Sequence, residues 1–416
     1  MRMKVWVLPF VFWFCHLQAW SQQYSVVDVG TLGGQVSTAR SVNNFGQVTG
    51  LAQDSTGAGL AYLYTNGTML NLGVLGANTS DGVSVNDSGD VAGTLHLSNL
   101  QPHAFLYSSG VVHDLDPAHP NRQSFAFGMN SNAAVVGEIG LADRAVKFKN
   151  GTITSIPLGS FDFVTATAIN SSGQISGIGG KSGVEHAVLI TGQTVKELKP
   201  ITAGVSMGLA INELGDVCGE GNNGSHGHAI VWSGSTKKDM GTISGFTESA
   251  CNGLNDFGLA VGTGSNFSSF TTRAIVFDSV NGAVNLNTRI ASNSGVVITT
   301  AVGVSDTGYI AANCKIAGVA RGCLLVPNSV LILKKNIFAL EQNDPGCIQC
   351  RTVLDPEAKS LPNSLSNLSS QELKAVVATA GKIKLQLQQI EQLGQITASH
   401  ARLLIHQAQL LINAAG

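Results

Sequence analysis

Charge is scarce in this chain: 12% of its 416 residues are Asp, Glu, Lys or Arg, with 26 acidic against 24 basic. No cluster of Lys and Arg stands out, so the electrostatic footprint of a nucleic-acid binder is missing. Past the first two dozen residues no apolar run is long and clean enough to span a bilayer. Nor do the residues supply a cofactor fingerprint. What the chain has instead is glycine, 49 residues of it, in turns rich in Asn, Ser and Thr. That is the composition of a sheet-rich extracellular protein rather than a disordered one.

The N-terminus reads as an export signal. Arg2 and Lys4 precede a mostly apolar stretch from Val5 to Leu17, and Ala19-Trp20-Ser21 offers a cleavage site near Ser21–Gln22. The large residues Phe12-Trp13-Phe14 argue against Cys15 as a lipidated residue. The expected location is secreted or cell-surface, with the periplasm open. Six cysteines remain after cleavage: Cys218, Cys251, Cys314, Cys323, Cys347 and Cys350. An even count in an exported protein favours disulfides. Among fifteen possible pairings the expected one joins Cys218 to Cys251, Cys314 to Cys323, and Cys347 to Cys350.

One twelve-residue pattern comes round seven times, as in ARSVNNFGQVTG (39–50), ATAINSSGQISG (166–177) and AVGVSDTGYIAA (301–312). Its anchors are Asn43, Asn86, Asn130, Asn170, Asn212, Asn255 and Ser305, spaced 43, 44, 40, 42, 43 and 50 residues apart. Asn first and Gly fourth marks a type I turn, here preceded by an apolar residue and followed by an alternating strand. The copy at Asn130 has Ala133 in place of Gly, so its turn is free to differ.

A second hairpin follows each anchor, with tight-turn pairs such as Asn66-Gly67, Asn150-Gly151 and Asn281-Gly282. Two hairpins make four short strands, and units of this length arranged radially are propeller blades. The expected fold is all-β: a seven-bladed β-propeller of four-stranded blades over residues 22–335. Two segments compete for the last outer strand, Tyr24–Val29 and Val330–Lys334; the first is favoured to close the ring.

The blocks VVDVGTLGG (26–34) and HAFLY (103–107), with the repeated AxxIN-xxGxVxG hairpin, resemble the bacterial extracellular HAF-repeat family over about residues 24–335. The His-Ala-Phe triplet stands intact only at His103-Ala104-Phe105. The resemblance implies an exported repeat protein. It brings no catalytic residue and no ligand.

Several motifs invite a chemical reading. Gly204-Val205-Ser206-Met207-Gly208 matches a hydrolase nucleophile elbow. Yet Ser37, Ser80, Ser124 and Ser249 hold the same place relative to their anchors, which points to a structural duty. The residue before the Ala of the second hairpin is Leu60, His103, Arg144, His186, His228, Arg273 or Arg321. These form either a ligand-facing ring or hydrogen bonds to neighbouring acidic groups such as Asp116 or Asp239. His226 and His228 lack a third metal ligand, and Asn86–Asp90 lacks the full ligand run of a calcium loop. Acidic residues that break the repeat (Glu138, Asp143, Asp162, Glu185, Glu220, Glu248) scatter without visible pairing, so no catalytic, metal or cofactor site is expected.

Residues 336–368 read as an irregular linker carrying the Cys347/Cys350 pair. Beyond it, Ser369-x-x-Glu372 is a capping box. Leu373, Val376, Ala380, Ile383, Leu387 and Ile390 then fall at helical spacing, and Ala401, Leu404, Ala408, Leu411 and Ala415 make a second stripe. Two amphipathic helices over 369–416 are expected, packed as a hairpin or self-associating. The functional expectation is a non-enzymatic exported scaffold that binds an extracellular protein or glycan. The alternatives are a propeller enzyme acting on extracellular polysaccharide and a purely structural matrix protein.

Overall fold

Each Asn-x-x-Gly copy folds as the reversal between two antiparallel strands. In blade 1 the chain runs through Gly33–Val42, Val48–Asp54, Gly59–Thr65 and Thr68–Asn71, each strand bonded to the next. Asn43 Oδ1 accepts from the N–H groups of Phe45 and Gln47, both at 3.0 Å. Gly46, the fourth residue of the turn, takes a φ of 72°, where a side chain is strained. At Asn130 the turn does not change: Ala133 adopts a φ of 53° and Asn130 Oδ1 still accepts from Asn132 and Ala134. The Asn side chain bonds the backbone two and four residues on, and that geometry holds Ala133 in the left-handed region.

The computed structural model describes residues 23–328 apart from 74–76, 97–100, 141–143 and 279–281. In the tail it describes 354, 356, 358–361, 369–392, 405, 408–409 and 411–412. The first 22 residues, Val330–Lys334, Asp143, Asn281, Cys347 and Cys350 lie outside the described residues. Seven four-stranded antiparallel sheets form. Blades 2 to 6 occupy 79–114, 124–155, 163–198, 206–239 and 248–285. Their inner strands touch in sequence, and Val296–Val304 of blade 7 meets Gly33–Val42 of blade 1 to close the circle. The chain is a seven-bladed β-propeller with a C-terminal helix, Ser370–Gln392.

Closure uses the N-terminal strand. Blade 7 takes three strands from the end of the repeats, Val296–Val304, Ile310–Ile316 and Val319–Pro327, and its outer strand is Tyr24–Asp28. Asp28 pairs in register with Cys323, and the Asp28 carboxylate lies 3.4 Å from Arg321 Nε. The ring is therefore sealed by residues some 300 positions apart, without a covalent link between them.

Two rules of close approach explain the small residues in the repeat. The last Gly of the pattern recurs as Gly50, Gly93, Gly137, Gly177, Gly219 and Gly262. A Cβ there would fall on the inner-strand carbonyl oxygen of Thr38, Asp81, Phe125, Thr165, Met207 or Ala250. Blade 7 has Ala312 instead, paired with Ala301. Two places before each anchor stand Ser41, Ser84, Gly128, Ala168, Ala210, Gly253 and Gly303. There, inner strands approach backbone to backbone: a Cβ on Gly253 would be 2.9 Å from Gly303 Cα. Between the blades, side chains such as Val136, Ala166, Ile175 and Val188 form one buried cluster per interface. Burying each large aliphatic among them contributes about 1.5–3 kcal/mol.

In the tail, Ser369 Oγ accepts from the Glu372 N–H at 3.3 Å while the Glu372 carboxylate takes the Ser369 N–H at 2.7 Å, which closes the capping box. Val376, Ala380, Ile383 and Leu387 are buried, as are Ala408 and Leu411. Lys384 Nζ donates to Gln409 Oε1 at 2.8 Å, so the two stripes lie side by side. Within the stretch read as an irregular linker, Leu354, Pro356 and residues 358–360 are helical; Pro is well tolerated in a first helical turn.

Candidate functional site

The polar residues that recur once per blade hold the blades together. Five of the seven anchor side chains reach the next blade: Asn43 Nδ2 donates to Asn86 O (2.8 Å), Asn130 to Asn170 O (2.9 Å), and Asn170 to Asn212 O (3.0 Å). Asn212 likewise donates to Asn255 O (3.2 Å) and Asn255 to Ser305 O (3.0 Å). Asn86 Nδ2 turns instead to Asp90 Oδ2 within its own turn, at 3.0 Å.

Ser206 is fully buried, accepting from Ala187 N–H at 2.9 Å and donating to Leu198 O at 3.2 Å. Ser80, Ser124, Ser249 and Ser37 accept in the same way from Ala61, Ala104, Ala229 and Gly322. The G-x-S-x-G match is a blade-to-blade bond, and no helix follows it. The three His positions pair within the blade: His103 Nδ1 lies 2.8 Å from Asp114, His228 Nδ1 3.0 Å from Asp239, and His186 Nδ1 3.4 Å from Glu197. Of the Arg positions, Arg321 meets Asp28, while Arg273 donates to the carbonyl of Thr272 beside it. The partner of His103 is Asp114 and not Asp116. Asp114 sits on the outer strand opposite Phe105, whereas Asp116 lies past the strand end.

Two disulfides are present among the described residues. Cys218–Cys251 joins blades 5 and 6, and Cys314–Cys323 joins the second and third strands of blade 7. Among the described residues no group of three or more His, Cys, Asp or Glu is placed to hold a metal.

One pairing was hidden by sequence distance. Glu220, on the second strand of blade 5, and Glu248, at the start of the inner strand of blade 6, converge on Gly227. A Cβ there would strike Glu220 Oε1 and come within 3.1 Å of Glu248 Oε2. Gly227 N–H donates to Glu248 Oε2 at 2.6 Å, and His226 Nδ1 lies 2.9 Å from Glu248 Oε1. Burial, and then the charge of Glu248, push the Glu220 carboxyl above its ordinary value. These acidic residues therefore do not all scatter; two of them meet across a blade interface. The hint lay in their offsets, eight residues after one anchor and seven before the next. Asp162 accepts from Ser182 N–H at 2.9 Å, while Glu185 is exposed.

The Glu220–Glu248 pair lies on the face that carries the turns between second and third strands and the connectors between blades. Most exposed large apolar side chains of the described propeller share it: Leu158, Phe163, Val184, Val205, Phe267, Phe270, Val297 and Val319. The opposite face, with the Asn turns, exposes Phe45, Leu214 and Val111. Phe270 is 92% exposed and sits at a φ of 50°. For a bulky side chain that conformation is an outlier that stores strain. The loop is pinned there, with Ser269 N–H bonded to Asn266 Oδ1 at 3.1 Å and Ser269 Oγ 2.7 Å from Thr271 Oγ1.

No family model matches the chain, and no curated protein does. Among solved structures, a virginiamycin B lyase from Staphylococcus aureus is 11% identical with a TM-score of 0.44, over 73% of this chain and 100% of that one. A puromycin-hydrolysing peptidase of Mycobacterium tuberculosis is 10% identical with a TM-score of 0.48, over 74% of this chain and 54% of that one. TolB from Acinetobacter baumannii is 14% identical with a TM-score of 0.34, over 48% of this chain; the chain spans about half, 52%, of its length. At these identities the likeness is one of fold.

Proposed function

We propose that this chain is an exported, non-enzymatic propeller that binds an extracellular protein or glycan through its connector face. The observation that carries the reading is the gathering of exposed apolar side chains on that face. Its clearest member is Phe270, held almost wholly in solvent at a backbone angle that costs energy. Exposed aromatic anchors on a rigid scaffold are the usual hot spots of a binding surface. The recurrent Asn, Ser and His side chains are spent on joining strands and blades, which leaves recognition to residues that differ from blade to blade. Export is supported by the signal-like N-terminus, the two disulfides and the resemblance to the HAF-repeat family. The helical tail serves as a packing or self-association module.

The test is retention of the mature chain's partners from the source cell's envelope and secreted material. Specific, saturable retention is expected, and its absence contradicts the reading. A second reading, an enzyme acting on extracellular polysaccharide, has one observation in its favour: Glu220 and Glu248 converge on Gly227, and burial and then the charge of Glu248 push the Glu220 carboxyl above its ordinary value. Breakdown of a retained glycan that stops in Glu248→Gln would establish it; binding without breakdown supports the scaffold.

A further inference from the structure

Between blades 2 and 3 lies an open cleft of about 400 Å³. One wall is the connector 115–123 and the other is the outer strand of blade 3, Thr152–Ser155. The polar end of the cleft is fixed by its own bonds. Asp116 is buried and accepts from Arg122 Nε at 2.8 Å and Nη2 at 2.7 Å, and His119 Nδ1 lies 2.8 Å from it. The backbone holds the same geometry, with His119 N–H bonded to Asp116 O and Arg122 N–H to His119 O. Asp116 N–H in turn donates to Asp114 Oδ1 at 2.8 Å.

Burial opposes ionisation of Asp116, yet the bonds from Arg122 and His119 hold its carboxyl below the usual range. It is therefore ionised at neutral pH and cancels the charge of the guanidinium. Arg122 Nη1 makes no protein hydrogen bond among the described residues. The result is a guanidinium N–H edge, oriented in advance with its charge matched, next to the outward ring edge of His119 and beside apolar walls from Leu115, Ile139 and Ile153. An anion would find no unmatched positive charge here. A hydroxylated ring, with an apolar C–H face and oxygen acceptors at its edge, matches both parts of the lining.

We propose that this cleft binds a neutral saccharide unit, as a site separate from the connector face. The proposal does not rest on the partner reading above, and its test can fail alone. The measurement is isothermal titration of the full mature chain with cellobiose and chitobiose, and in parallel with acetate and phosphate. One of the saccharides is expected to bind with an affinity indifferent to salt, and neither anion is. Ile153→Arg, which drives a long charged side chain into the cleft, is expected to abolish binding. His119→Ala, at a half-exposed position, weakens it about tenfold, as the loss of one hydrogen bond would. This second variant keeps the test sharp should Ile153→Arg not fold. No binding of either saccharide, binding indifferent to both substitutions, or preference for an anion would overturn the proposal.

Discussion

Cys218 and Cys251 are bonded across the interface of blades 5 and 6, with their Cα atoms 5.7 Å apart. In five other interfaces the same two repeat positions come together. Ala92 shares a core cluster with Ala126, Val136 with Ala166, Val261 with Ala301, and Ala311 with Ala39. In the fifth, Gly82 has no side chain to obstruct Thr49. The disulfide thus replaces one small packing pair with a covalent clasp and needs no change in backbone course.

Because that clasp closes a loop of 33 residues, its removal is expected to cost about 3–4 kcal/mol through the freed unfolded chain. The double variant Cys218→Ala, Cys251→Ala should show a lower denaturation midpoint in urea with its circular dichroism unchanged. An unaltered midpoint would mean the interface is held by packing alone.

Ala133 is the one turn residue at the Gly position that carries a side chain while holding a left-handed φ of 53°. Ala133→Gly removes the strain but loosens the unfolded chain. With the strain the larger, a net gain of about 0.5–1 kcal/mol is expected. A shift of the thermal midpoint upward checks it, and a downward shift refutes it.

Asp256 on the Asn-turn face is pushed up to about 6, first by burial and then by the charge of Asp306 on the next blade. Its folded value lies above the unfolded one of 3.8, so the fold favours the protonated form. Stability should fall as pH rises from about 4 through 6, and the loss should be complete above that window. Asp256→Asn keeps the acceptor for the Glu213 N–H and uses the residue type that blade 1 has at Asn44. It should gain about 1–2 kcal/mol at neutral pH, once solvent screening is allowed for. At pH 4 it should gain little. Equal gains at both pH values would place the effect elsewhere.

Ser206 supplies a buried bond between blades 4 and 5. Ser206→Ala should lower stability by about 1–3 kcal/mol by stranding the Ala187 N–H. The unaltered chain should resist serine-directed fluorophosphonate. Covalent labelling at Ser206 would revive the nucleophile reading.

Much of the ring was legible because its determinants are local and repeated. The Asn-x-x-Gly turn, the alternating strands and the recurrence of serine six places before the anchor are read from short windows, and they led to seven blades and to N-terminal closure. The Glu220–Glu248 pair was not, because it exists only when neighbouring blades are set side by side and Gly227 leaves room for both carboxylates. Which carboxylate His103 meets was hidden for a related reason: strand register, and not sequence proximity, decides for Asp114 over Asp116. The exposure of Phe267 and Phe270 also depends on loop conformation, which composition does not encode.

The central claim is that recognition belongs to the connector face. Its most direct test compares two double variants of the mature chain for retention on the source cell's envelope and secreted material. Phe267→Ser with Phe270→Ser alters the connector face, and Phe45→Ser with Leu214→Ser alters the Asn-turn face. Loss of retention by about tenfold or more in the first pair, with the second unchanged, is the predicted result. Unchanged retention in the first pair, or loss only in the second, would contradict it.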